Sequence, residues 1–152
     1  MKQFIKNIVK TNESTEIALA TLALRLPAAL IFSAHGAQKL FGAFGGYGLE
    51  GTAGWMESIG LTPGYLLALL AGSAEFFGGL ALLVGLLVRP AALVLAFTML
   101  VAMFSVHWVN GLFMANNGYE FALSLLAISL ALLGTGGGKW SLDQLIATKL
   151  TK

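Results

Sequence analysis

Cysteine is absent from this chain of 152 residues. Its absence excludes thiolate catalysis, disulfides and cysteine-based zinc or iron–sulfur sites within the polypeptide, so any redox role must run through a bound cofactor or a partner. Charge is scarce too: Asp, Glu, Lys and Arg make up 11% of the residues, where a soluble domain carries roughly 25%. With 57% hydrophobic residues and a mean hydropathy of +0.82, the composition is that of an integral membrane protein. The formal charge of +2 and the pI near 9.0 do not point to nucleic acid. The lysines gather near the two termini and form no basic stripe with interleaved aromatics. The opening MKQFIKNIVKTNESTE shows no apolar run followed by a small-residue cleavage site, so the first span is expected to act as its own insertion signal.

Four long apolar runs are present, at residues 17–40, 65–88, 91–109 and 119–133. Each approaches the roughly 20 residues that cross a bilayer as a helix, and the last must extend toward Gly136 or tilt little. Thr62-Pro63 reads as N-cap and first helical residue of the second span, and Arg89-Pro90 as the break that opens the third. Residues 2–10 place Phe4, Ile5, Ile8 and Val9 opposite Lys2, Lys6 and Lys10, a pattern for a helix lying in the membrane interface. Ser141 and Gln144 have capping-box spacing, which would start a second amphipathic helix with Leu142, Leu145, Ile146 and Leu150 on one face. Gly134 to Gly138 reads as a flexible joint before it. The expectation is an all-α, four-helix transmembrane bundle over residues 17–136, with amphipathic segments at 1–16 and 137–152.

Lysine and arginine bias sets the orientation. Lys2, Lys6, Lys10, Arg89, Lys139, Lys149 and Lys152 fall on one side and only Lys39 on the other, so both termini are expected to be cytoplasmic and the chain to be a multi-pass protein of a bacterial inner membrane. The loops 42–64 and 110–118 then face outward. The first is long enough for a short helix around Trp55 to Ile59, acting as an interfacial anchor or as a lid over the bundle mouth.

Ionisable groups inside such spans are costly and therefore informative. Up-and-down threading brings His35, Lys39, His107 and Glu120 to the outer face, with Glu75 roughly 15 Å and Arg25 roughly 22 Å below it at 1.5 Å per residue. Arg25 and Glu75 are expected to pair, either as a structural lock or as part of a proton relay. Helical phase puts Gly72, Glu75, Gly78 and Gly79 on one face of the second span, and Arg25, Ala29, Phe32, Gly36 and Lys39 on one stripe of the first, with His35 beside it. Two imidazoles, which exchange protons near neutral pH, with an ammonium and carboxylates, suit a group that takes up electrons and protons together, such as a quinone. Haem ligated by His35 and His107 ranks behind it, because nothing in the sequence distinguishes that arrangement. Phe41, Phe44, Trp55, Phe76, Phe77, Trp108, Phe113 and Tyr119 cluster at the same level. Most suit an interfacial aromatic belt, while a few could wall a planar ligand with amides from Gln38, Asn110, Asn116 and Asn117. The glycine groups at 45–46 and 136–138 lack the strand-then-helix context of phosphate loops and read as turns.

The segments HGAQKLFG (35–42, preceded by Arg25), AEFFGGLALLVGLLVRPAAL (74–93), HWVNGLFMANNGYEFAL (107–123) and the closing GKWSLD together resemble the DoxX family of small bacterial four-helix membrane proteins. The resemblance implies a redox-linked membrane protein working with a partner, and it places Arg25, His35, Lys39, Glu75, Arg89, His107, Asn110, Tyr119 and Glu120 at the family's polar motif positions. Where the family commonly has a Gly-Pro-Gly turn, this chain has Gly136-Gly137-Gly138, expected to loosen the joint without touching a site residue.

Three functions follow from these residues. The leading one is a subunit that binds quinone near the outer face, with His35, Glu75, His107 and Glu120 handling protons and Arg25, Gln38, Lys39, Trp108, Asn110 and Tyr119 holding the ligand. A small-solute transporter is second, since no inverted repeat or broken helix is apparent. The third is an assembly subunit that binds a partner through Gly72, Gly78 and Gly79, with the charges serving only helix packing; a bundle this small could also form a homo-oligomer, though no lipid-facing seam requires it.

Overall fold

The computed structural model describes residues 13–150, so the interfacial helix expected over residues 2–10 and Lys152 lie outside it. Among the described residues every regular element is helical: α1 (Glu13–Phe41), α2 (Gly48–Ser58), α3 (Gly64–Val84), α4 (Val88–Ala102), α5 (Glu120–Thr135) and α6 (Leu142–Leu150). A π-helical turn, Met103–His107, and a 3-10 turn, Trp108–Asn110, prolong α4, giving a span of 23 residues. With α1 and α3, three helices are long and apolar enough to cross a membrane. The fourth, α5, has 16 residues and rises about 24 Å, somewhat less than the hydrocarbon thickness. It reaches Thr135 before Gly136, at φ 73°, ends it.

Two boundaries differ from the expected ones for local reasons. Helix α3 begins one residue later, with Pro63 as N-cap and the Gly64 N–H donating to Glu57 Oε1 at 3.2 Å. At its other end the apolar run is cut at Gly85, whose left-handed conformation closes the helix, rather than at Arg89-Pro90. The first two N–H groups of the following turn, Leu87 and Val88, donate to the two oxygens of Asp143 at 2.7 and 2.9 Å. A carboxylate there satisfies orphan donors and suits the positive end of α4.

The core is narrow and alanine-rich. Ala28, Ala29 and Phe32 of α1 meet Leu82 of α3, Ala92, Leu95 and Ala96 of α4, and Leu125 and Leu132 of α5. Small side chains let helix backbones approach, which is what association in a lipid environment requires. The outward faces stay apolar, as at Leu30, Phe77, Leu93 and Phe97, and form the lipid-facing belt.

Glycines set the register of the antiparallel α1–α3 pair. Gly72 lies against Leu40 and Lys39, Gly36 against Phe76, and Gly79 against Ser33 and Ala29. The remaining member of the expected glycine face, Gly78, turns instead toward Leu95 of α4. Extending the α1–α3 register, the first two turns of α3 project beyond the end of α1. Helix α2 covers them: Ala53 and Met56 pack on Ala68.

Candidate functional site

The register decides which charges meet. Lys39 Nζ donates to Glu75 Oε2 at 2.6 Å, with the Glu75 side chain 4% exposed and that of Lys39 25%. The expected Arg25–Glu75 pair does not form. The depth estimate behind it assumed that α1 and α3 end at one surface, whereas the two-turn projection of α3 brings Glu75 level with residue 37. Arg25 lies about twelve residues, roughly 18 Å, farther down α1, beyond the reach of a guanidinium.

Arg25 is buried instead beside the α3–α4 turn and the segment before α6. Its Nη1 donates to the carbonyl of Gly137 and its Nη2 to that of Trp140 at 2.7 Å. The joint at 136–138 is therefore held by a residue of the candidate set, contrary to the expectation that it touches none. Ser141 Oγ donates to the Gly138 carbonyl at 2.7 Å and accepts the Gln144 N–H at 3.2 Å, so Ser141 caps α6 as its spacing implies. Asp143 was legible only as the last letter of GKWSLD. Its caps on Leu87 and Val88 show what that position does.

Around the Lys39–Glu75 pair the C-terminal end of α1 supplies two further polar groups. His35, one turn before Lys39, is half-buried with its ring 5.9 Å from that of Phe121 on α5. Gln38 turns outward to the Phe44 carbonyl at 3.4 Å. The short helix in the first loop is real and longer than expected, and Thr52 on it is buried with Oγ1 3.5 Å from the Lys39 carbonyl. Thus α2 packs on α3 and overlies the Lys39 turn. An ammonium has three donors, and Glu75 takes one.

His107 and Glu120 occupy the same end of the bundle but serve the second loop. His107 Nδ1 lies 2.9 Å from the Asn117 carbonyl. A carbonyl only accepts, so Nδ1 carries the proton in this contact. Asn110 Nδ2 donates to the same carbonyl and to that of Val106, both at 3.3 Å. Glu120 Oε1 accepts the Met114 N–H at 2.6 Å, and Trp108 stacks on Tyr119 with centroids 5.0 Å apart. The π-helical turn ending at His107 is a deformation that often accompanies functional positions. The five residues expected to converge therefore divide: Lys39 and Glu75 meet at the α1–α3 interface, with His35 one turn back on α1 against Phe121 of α5, while His107 and Glu120 brace the second loop. No hydrogen bond or ring contact joins the two groups among the described residues.

A sequence model of the DoxX family matches residues 20–108, which include Arg25, His35, Lys39, Glu75 and His107. The chain belongs to the DoxX family. It is 35% identical over 124 residues to the Bacillus subtilis (strain 168) protein named "Putative oxidoreductase CatD", an overlap covering 82% of this chain and 84% of that one. It is 40% identical over 108 residues to "Inner membrane protein YqjF" of Escherichia coli (strain K12), covering 67% and 77%. No solved structure matches it significantly. Family, relatives and apolar helices agree on a multi-pass inner-membrane protein.

Proposed function

We propose that this DoxX-family protein is a redox-linked membrane subunit that binds a quinone headgroup at the outer end of the α1–α3 interface. The carrying observation is the Lys39–Glu75 pair: a carboxylate withdrawn from water and an ammonium still a quarter open. Intramembrane charges of this kind are expensive to keep and mark ligand or proton pathways. A spare Lys39 donor suits a quinone carbonyl oxygen. Reduction of quinone to quinol takes two electrons and two protons. In this reading the electrons come from a partner redox protein, and Glu75 and His35 pass the protons. His107, Asn110 and Glu120 position the loop that would border the ligand, with Trp108 and Tyr119 as its aromatic wall. The name of the Bacillus subtilis relative supports a redox role in general terms.

The test is a reduced-minus-oxidised difference spectrum, from ultraviolet to visible, on protein purified in mild detergent with its native lipids. A quinone-to-quinol change near one per protein, lost in Glu75→Gln and His35→Ala that still fold, supports the site. Haem bands would make the histidines ligands instead. A featureless spectrum from folded protein would shift the reading to transport or assembly.

A further inference from the structure

At the end of the bundle opposite the Lys39–Glu75 pair, α6 lies beside the start of α4 and the end of α5, and between them opens a cleft of about 710 Å³. Arg89 and Lys139 stand on its walls with Leu87, Thr135 and Gln144. A second cleft of about 270 Å³ shares Lys139 and is otherwise lined by Val84, Trp140, Ser141, Leu142 and Leu145. We infer that this pair of clefts is a binding site for an anionic phospholipid of the adjoining leaflet, with Arg89 and Lys139 holding its phosphate and the apolar rim of α6 its acyl chains.

Charge comes first. The only carboxylate on either wall is Asp143, and both its oxygens accept backbone N–H groups of the α3–α4 turn. Both oxygens are engaged by that helix end, and Asp143 forms no ion pair with Arg89 or Lys139. Arg89 places one Nη2 donor on the Gly134 carbonyl at 3.1 Å and has four donors left. Neither Arg89 nor Lys139 forms an ion pair among the described residues. The site thus has two exposed cations, Lys139 just before α6 and Arg89 at the start of α4, and no ion pair among the described residues balances them.

The rim then selects the ligand. Leu142, Leu145 and Ile146 share one face of α6 and are exposed, as are Trp140 and Leu87. That apolar strip continues into Val84 and Leu83 at the foot of α3, which belong to the lipid-facing belt. A free phosphate would use the cations and leave the strip in water. A phospholipid uses both, and tryptophan beside a basic cleft is the usual furniture of a membrane boundary. The Lys and Arg bias makes this the cytoplasmic leaflet, where anionic lipid lies. Arg25 contributes indirectly, since its bonds to Gly137 and Trp140 fix the segment that carries Lys139.

The experiment uses the full chain. Purified protein is exchanged into detergent containing phosphatidylglycerol, phosphatidylcholine or inorganic phosphate at matched concentration, with bound lipid counted by native mass spectrometry and unfolding followed by heating. Phosphatidylglycerol should be retained on the order of tenfold better than phosphatidylcholine and should raise the midpoint, since each basic side chain near an anionic surface contributes on that scale. Arg89→Gln combined with Lys139→Gln should bring the two lipids to parity. Lys139→Gln alone, which breaks no hydrogen bond in this structure, should lose several-fold and keeps the test valid should the double variant not fold. Equal retention of both lipids by the unaltered protein, or an undiminished preference in Lys139→Gln and the double variant, would overturn the site. Equal protection by inorganic phosphate would make it a free-anion site and overturn the lipid reading.

Discussion

Glu75, placed a little over halfway along α3, accepts a 2.6 Å hydrogen bond from Lys39 near the end of α1. Between them Gly72 and Gly36 remove the side chains that would hold the helices apart. The pair depends on that close approach, because a lysine stem can bring its ammonium to a buried carboxylate only where the backbones nearly touch.

Breaking the pair should be costly, and replacing it should not. Lys39→Ala strands a buried carboxylate and is expected to destabilise the protein by about 3 kcal/mol. Lys39→Met with Glu75→Leu removes both charges while retaining bulk, and should recover most of that loss. Thermal unfolding of the singles and the double in one detergent measures the cycle. If the folded double variant retains quinone-dependent turnover, the pair is only a lock between helices.

The spans and their facing stripes were legible in the sequence because apolar length and helical phase are local properties. Ala29, Gly36 and Lys39 do face α3, and Ser141 does cap the last helix. Partner choice was not legible, because phase says which way a side chain points and nothing about how far one helix slides along its neighbour. That offset is set by the close approaches at Gly36, Gly72 and Gly79, and α2 covers the turns of α3 left projecting, through Ala53, Met56 and Ala68. A loop with one expected turn of helix gave no reason to shift α3, so Arg25 was matched to Glu75. The division of His107 and Glu120 from Lys39 has a similar origin: their partners are backbone groups of Asn117 and Met114, which no residue pattern announces.

Arg25 offers a test of the opposite end. Its two nitrogens reach two carbonyls at once, a fork that lysine cannot reproduce. Arg25→Lys should therefore keep the charge yet cost roughly 2 kcal/mol, the order of one charge-assisted hydrogen bond. The loss should be local. Amide hydrogen exchange should speed up over residues 136–147 and at Leu87 and Val88, whose bonds to Asp143 depend on that segment. Unchanged exchange there would show that Arg25 does not hold the joint.

Glycine positions predict opposite signs for one substitution. A methyl group on Gly79 would come within 2.6 Å of the Ser33 nitrogen and 2.9 Å of the Ala29 carbonyl oxygen, both rigid backbone. Gly79→Ala should push α1 from α3 at a cost of about 1–3 kcal/mol. Gly134, inside α5, has nothing within 4 Å of the same methyl, so Gly134→Ala should be neutral or stabilising by up to about 1 kcal/mol from helix propensity alone. Unfolding midpoints of the two variants check the contrast.

The second loop separates positioning from chemistry. His107 holds the Asn117 carbonyl and Glu120 the Met114 N–H, while neither touches Lys39 or Glu75. Glu120→Gln keeps an acceptor oxygen and should preserve most of the loop; Glu120→Ala leaves the Met114 N–H without its partner and should loosen residues 111–118, seen as faster amide exchange. His107→Ala should do the same from the other side by releasing Asn117. In either alanine variant the quinone-dependent signal should weaken through poorer retention of the ligand, with the maximal rate at saturating quinone nearly kept. Glu75→Gln should instead lower that maximal rate while leaving the loop's exchange unchanged. A collapse of the saturated rate in His107→Ala, with Asn117 still protected, would place His107 among the proton-carrying groups and not among those that shape the loop.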